Sequence, residues 1–249
     1  MKIRIKFAKR GVMKFIGHLD VMRFFQKVMR RADVDIAYSE GFSPHQIMSF
    51  AAPLGVGLTS EGEYLDIEVH STDSSYEMIE RMNATMVDGM QILSYVLLDD
   101  NVKNAMSSVA AADYLVSYKD GYMPEVFNST QALTEAFTEF INKETINVVK
   151  KTKKSEKEVN IKPMIYDAYA SDGAIFMKLA TGSSRNIKPE LVMQAFHESL
   201  GTSLSPSALN ICRLETYGSL LKEITDEIKE NAKGSGTRLG TGGMITKLR

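Results

Sequence analysis

At 249 residues, 44% apolar and 24% charged, the chain can form one large domain or two small ones with cores of ordinary size. Its net charge of −1 points to no partner, and its single cysteine, Cys212, excludes an internal disulfide framework and any multi-cysteine zinc or iron–sulfur site. The opening MKIRIKFAKRG alternates charge with apolar residues, unlike a secretory leader, and no stretch approaches the roughly 20 apolar residues of a bilayer-spanning helix, so the expected setting is the cytoplasm, with no membrane partner. Fifteen methionines and no tryptophan predict a soft apolar core.

Lys2 to Phe7 alternates strictly, with Ile3, Ile5 and Phe7 on one side and Lys2, Arg4 and Lys6 on the other, as in a half-buried strand. From His18 to Arg31, Leu19, Met22, Phe25 and Met29 recur at helical spacing, while Arg23, Lys27 and Arg30 share another face. A short strand over Val34 to Tyr38 is followed by the loop SEGFSPHQIMSFAAPLGVG. Glu63 to Val69 alternates again, a helix follows with Ser74 or Ser75 as its cap, and Gln91 to Leu98 closes a βαββαβ unit.

Asp99 to Ala112 carries little periodicity and reads as a linker. The order of elements then repeats: a strand over Tyr114 to Tyr118, a helix from Ser129 or Thr130 to Lys143, and a strand over Ile146 to Lys151. The charged turn KTKKSEKE leads into Val159 to Tyr169; Ala174 to Leu179 adds another strand, Lys188-Pro189-Glu190 opens a helix, and Ile211 to Thr216 closes the unit. The predicted class is α+β: two tandem ferredoxin-like units, over 1–100 and 111–217, the second with an extra strand or hairpin, and a poorly ordered tail over 218–249 that includes a charged helix from Leu220 to Lys233.

Charge is unevenly placed. Residues 1–31 hold ten Lys or Arg against one acid, Asp20, a net of +9, which leaves about −10 for the rest. That asymmetry points to an anionic partner, RNA foremost. In a ferredoxin-like sheet, however, Tyr64, Asp66 and Glu68 would lie across from Lys2, Arg4 and Lys6 and neutralise them. Base stacking of the RNA-recognition-motif kind needs aromatics there, and only Tyr64 qualifies. The cations left for phosphate are Lys9, Arg10, Lys14, Arg23, Lys27 and Arg30, which serve equally as a solvated face.

GFSPHQ, Gly41 to Gln46, is the densest candidate loop, with Tyr38, Gly41, Phe42, Pro44 and His45 as its notable members. His45 on the loop and His18 at the start of the first helix are the candidate catalytic residues, as an acid/base pair acting on RNA. They serve equally as RNA contacts or as braces of the loop. No HxH, HExxH or CxxC spacing argues for a metal.

The segment FIGHLDVMRFFQKVMRRADVDIAYSEGFSPHQIMSFAAPLGVGLTSEGEYLDIEV resembles the signature of the bacterial radical-SAM-linked family, a domain of unknown function. The residues that carry it include Gly17, His18, Leu19, Asp20, Arg23, Arg30, Arg31, Tyr38, Ser39, Gly41, Phe42, Pro44, His45, Pro53, Leu54, Gly55, Ser60, Gly62, Glu63 and Asp66. Ile161-Lys162-Pro163 and Lys188-Pro189-Glu190 resemble its weaker second half. The resemblance implies an accessory protein of a radical SAM enzyme that binds RNA or the ribosome, or presents a substrate. The iron–sulfur cluster and S-adenosylmethionine would belong to the partner, since this chain has no CxxxCxxC run and needs no cofactor of its own. Lys222 to Arg249, with Thr241 to Lys247 at its heart, is similar to an internal fragment of glutamate 5-kinase. The rest of that kinase has no counterpart upstream, so the tail reads as a foreign or chimeric fragment without competent kinase activity.

Overall fold

The computed structural model describes residues 1–151, 156–183, 185–219 and 245–247. Strand β1 (Lys2–Lys9) enters the sheet with Ile3, Ile5 and Phe7 buried, as its alternation requires. A short 3-10 turn leads to α1 (His18–Arg31), capped by the backbone of Gly17 and burying Val21, Phe25, Val28 and Met29. Val34 to Tyr38 is not a strand. It makes only isolated bridges, Ile36 to Val69 and Tyr38 to Gln46, and the pairing strand comes later, as β2 (Met48–Phe50).

Strand β3 (Thr59–Glu68) pairs antiparallel with β1 in the expected register, Lys2 opposite Glu68, Arg4 opposite Asp66 and Lys6 opposite Tyr64. Helix α2 (Ser75–Asn83) starts at a capping box: the Ser74 hydroxyl accepts from the Glu77 amide, and the Glu77 carboxylate accepts from the Ser74 amide. Strand β4 (Met90–Leu98) completes the unit. Its core holds Met29, Met78, Met82 and Met90 around Phe7, Phe25 and Phe50, so the methionines fill space between rings.

The linker crosses back over the sheet and contains a single helical turn, α3 (Ala105–Ser108). The second unit comprises β5 (Val109–Tyr118), α4 (Thr130–Ile141), β6 (Asn147–Lys151), β7 (Glu156–Asn160), β8 (Ile165–Ser171), β9 (Ala174–Ala180), α5 (Pro189–Ser199) and β10 (Leu209–Ser219). The stretch from Val159 to Tyr169 is two strands, because the 3-10 turn at Lys162–Met164 separates β7 from β8. The extra element is thus a hairpin: β6 and β7 form their own two-stranded sheet. Helices α4 and α5 pack their Leu133, Phe137, Val192 and Phe196 on the second core.

The main sheet runs β4-β1-β3-β10-β5-β9-β8. Each half therefore has the strand order of a split βαββαβ unit, and the halves meet edge to edge where β3 and β10 run parallel, Cys212 beside Thr59 and Arg213 beside Ser60. Strand β2 occupies the same edge of β3 further along, opposite Leu65 to Ile67. Of the tail, β11 (Ile245–Lys247) pairs antiparallel with Tyr217 to Ser219 of β10. The predicted helix over 220–233 and the remainder of the kinase-like segment lie outside the described residues. No described helix is long and apolar enough to cross a membrane.

Candidate functional site

The predicted cations divide by environment. Lys9 drops out of the phosphate-binding set. It is 2% exposed, its ammonium donates to the Ile16 carbonyl at 3.0 Å, and burial pulls its pKa below the ordinary lysine value against the opposing charge of Glu63. The period of β1 puts Lys9 on the same side as Ile3, Ile5 and Phe7, so its side chain points inward, away from the side of Lys2, Arg4 and Lys6. Arg10 is engaged as well: its guanidinium forks onto the Glu61 carboxylate and donates to Gln91 Oε1 at 2.6 Å. Lys14 lies 5.2 Å from the centre of the Phe15 ring.

The α1 cations face water. Arg23 reaches Asp20 at 3.2 Å, a pair more than half exposed on both sides and weak for that reason. Lys27 and Arg30 are exposed and form no ion pair among the described residues. The GFSPHQ loop is anchored beside this helix, since Gln46 Nε2 donates to the Gln26 carbonyl at 3.4 Å and to the Tyr38 hydroxyl at 3.5 Å. Ser39 closes the loop: its amide donates to the His45 carbonyl, and its hydroxyl accepts from the His45 amide at 3.1 Å and bonds to Nδ1 at 2.8 Å. Gly41 sits at φ +109, which glycine tolerates. Phe42 is fully exposed, Tyr38 is half exposed, and Pro44 is exposed between them and the helix-anchored end.

The two histidines do not form a couple. His18 is half-buried with its ring edge-on to Phe50, 5.1 Å between centres, while the His45 ring is held by Ser39. No hydrogen bond joins the two rings, and each reads as a brace of its own segment. Tyr38 and Arg30 border a cavity of about 660 Å³ whose rim mixes Arg81 with Asp33, Asp35 and Asp73. Among the described residues no group of three His, Cys, Asp or Glu is placed to hold a metal. Burial raises the Cys212 thiol pKa, so it is not an activated nucleophile.

Residues the charge pattern did not single out build the junction of the two units. Arg213, buried, donates through Nη1 to both Glu63 oxygens at 3.0 and 3.1 Å and to the Ala52 carbonyl at 2.8 Å. Burial opposes its charged form, but the Glu63 carboxylate prevails and raises its pKa. Glu215 accepts from Lys6 Nζ and from the Tyr64 hydroxyl, both at 2.8 Å; burial first, then that carboxylate, pushes the Tyr64 pKa up. Arg4 forks onto Asp66 at 2.7 and 2.8 Å, and Asp66 also accepts from the Ala105 amide, which fastens the linker to the sheet. The SEGEYLD segment is thereby explained: Ser60 Oγ donates to the Arg213 carbonyl, Thr216 donates to the Gly62 carbonyl, and a Cβ at Gly62 would stand 2.5 Å from Glu215 Cα. The alternation of that segment announced a strand, but nothing local announced that its outer edge pairs with a strand some 150 positions later.

Residues 2–189 match the family described as uncharacterized protein conserved in bacteria (DUF2344), and the chain belongs to that family. No curated protein matches it.

Proposed function

We propose that the protein is a non-catalytic binding module that holds RNA on the face formed by α1 and the Ser39–His45 loop. The observation that carries the reading is the placement of exposed Lys27 and Arg30 beside a loop that displays Phe42 fully in water. Cations tracking phosphates, with exposed aromatic rings on which bases stack, are the usual parts of a single-strand-binding surface. An exposed Phe on a loop closed by Ser39 and tied to α1 gains nothing from the fold and is free to gain from a partner. In this reading the protein serves a radical SAM enzyme, holding the RNA or ribosomal substrate while the partner supplies the cluster and S-adenosylmethionine; that part rests on the sequence resemblance.

Fluorescence anisotropy with labelled tRNA and rRNA fragments at two salt concentrations tests the RNA reading. Affinity should fall steeply with salt, and Arg23→Glu/Lys27→Glu/Arg30→Glu should abolish binding, with Phe42→Ala weakening it by about 1–3 kcal/mol. Binding that ignores salt, or a triple variant that binds like the parent, removes this face as the site. Retention of any RNA cleavage in a His18→Ala/His45→Ala variant would rule those residues out as its source.

A further inference from the structure

The face of the second unit's sheet turned away from α4 and α5 carries a surface that the α1 site leaves unused. Val116, Ile175 and Met177 belong to the core under those helices. The period of 2 along each strand therefore sends Leu115 and Phe176 to the opposite face, and Tyr169, paired with Phe176, goes with them. The registers set these side chains in one row across four strands. Cys212 of β10 lies opposite Leu115 of β5, Leu115 opposite Phe176 of β9, and Phe176 opposite Tyr169 of β8. Leu115 is 40% exposed and Tyr169 53%, and Phe176 is half-buried.

The Tyr169 and Phe176 rings stack, with 5.0 Å between centres and 26° between planes. A cross-strand aromatic pair steadies a sheet edge, but that gain does not call for Leu115 to continue the apolar row onto an inner strand. The first unit shows the same kind of face put to structural use. There Lys2, Arg4 and Lys6 lie opposite Glu68, Asp66 and Tyr64, and Tyr64 is 4% exposed with its hydroxyl on Glu215. The expected stacking residue of the first unit is thus closed off, while the second unit holds two rings open to water.

The chemistry of the row selects its occupant. Aromatic rings on the open face of a four-stranded antiparallel sheet are the means by which unpaired bases are held, since every base has a flat π-face. At the rim, Lys178 follows Phe176 on the same face of β9, half-buried beside Asp113 at 3.6 Å, and the exposed Asp167 stands opposite it. These charges offset one another, so stacking and not phosphate attraction must supply the binding here. We propose that Leu115, Phe176 and Tyr169 form a second contact surface for single-stranded RNA, on which unpaired bases stack. The proposal extends the RNA reading and rests on it for the identity of the strand. Cations on α1 draw the phosphates in, and the rings of the second unit hold the bases.

Fluorescence anisotropy on the full chain tests this with a labelled single strand of about a dozen nucleotides and an abasic strand of the same length and charge. Tyr169→Ala should weaken the base-bearing strand about tenfold and leave the abasic strand within about twofold. A variant that had merely lost its fold would weaken both. Tyr169→Phe keeps the ring and should bind like the parent, and Leu115→Glu, at an exposed position, should weaken the base-bearing strand as Tyr169→Ala does. The loss in Tyr169→Ala should be the same factor at two salt concentrations, because no phosphate contact is removed. If the Tyr169→Ala variant binds the base-bearing strand like the parent, or loses both strands equally, the proposal is overturned while the α1 site stands on its own test. If the charge reversal on α1 changes nothing and Tyr169→Ala still weakens the base-bearing strand alone, the α1 site falls and this one stands. Absence of binding by the parent to either strand at millimolar concentration overturns it as well.

Discussion

The basic N-terminal segment contributes to two regions that use the same residue types in opposite ways. At the junction, Arg4 is matched by Asp66, Lys6 by Glu215, and Lys9 is sealed in the interior. On α1, Arg23, Lys27 and Arg30 stand in water, with one weak partner, Asp20, for the three among the described residues. A +9 block is therefore not a single electrostatic feature. Strand cations meet whatever the neighbouring strand presents, whereas the outward face of a helix that packs on one side only keeps its charges for solvent or a partner. Charge at the junction holds the molecule together, and charge on α1 is available for work.

That division can be broken at several points. The largest effect is expected from Glu63→Ala, which leaves the Arg213 guanidinium buried without its counter-ion. Destabilisation of about 3–5 kcal/mol in urea unfolding is expected, and parent-like stability would mean that the units are held by other contacts. Gly62→Ala comes next. Its new methyl group meets the β10 backbone, which has no flexible end to yield, so a loss of about 1–3 kcal/mol or more is expected. A neutral result would show that β3 and β10 separate easily.

A smaller, pH-dependent effect belongs to the second unit. His197 is buried, bonded through Nε2 to the Tyr118 hydroxyl at 2.9 Å and through Nδ1 to Thr202 Oγ1 at 3.1 Å, and burial lowers its pKa below the ordinary 6.5. The unfolded chain takes up a proton that the folded chain refuses. Its contribution is therefore full above about pH 6.5 and is lost as pH falls through the lowered folded value. Thermal midpoints should drop between about pH 7.5 and about pH 5, and a His197→Gln variant should lose that part of the slope. The smallest stability change, within about 0.5 kcal/mol, is expected for the Arg23→Glu/Lys27→Glu/Arg30→Glu variant that is to abolish RNA binding. If that variant unfolds instead, the α1 charges are structural and the contrast with the junction fails.

The loop and the junction differed in how far they could be read in advance. Tyr38, Gly41, Phe42, Pro44 and His45 stood out because glycine, proline and exposed aromatics mark loops locally, and they do share one loop beside α1. That His18 and His45 brace separate segments instead of pairing as expected was not legible, since it depends on where α1 begins relative to a loop closed by Ser39. Arg213 gave no signal at all, being one cation in a strand of mixed character, while Glu190 was visible only as part of a helix start.

By itself the sequence determined the α+β class, most of the element order, that Tyr64, Asp66 and Glu68 face Lys2, Arg4 and Lys6, and a cap at Ser74 or Ser75. These follow from periods of 2 and 3.6 and from hydrogen bonds spanning a few residues. Only the tertiary structure decided that β10 joins β3, that β6 and β7 leave the main sheet as a hairpin, that the buried Lys9 finds the Ile16 carbonyl, and that Pro53 and Glu190 line one cavity. Each of these depends on which edge of a strand remains open once the rest of the sheet has formed. An open edge accepts any partner whose backbone can reach it, and side-chain patterns within one strand carry no record of which partner that will be.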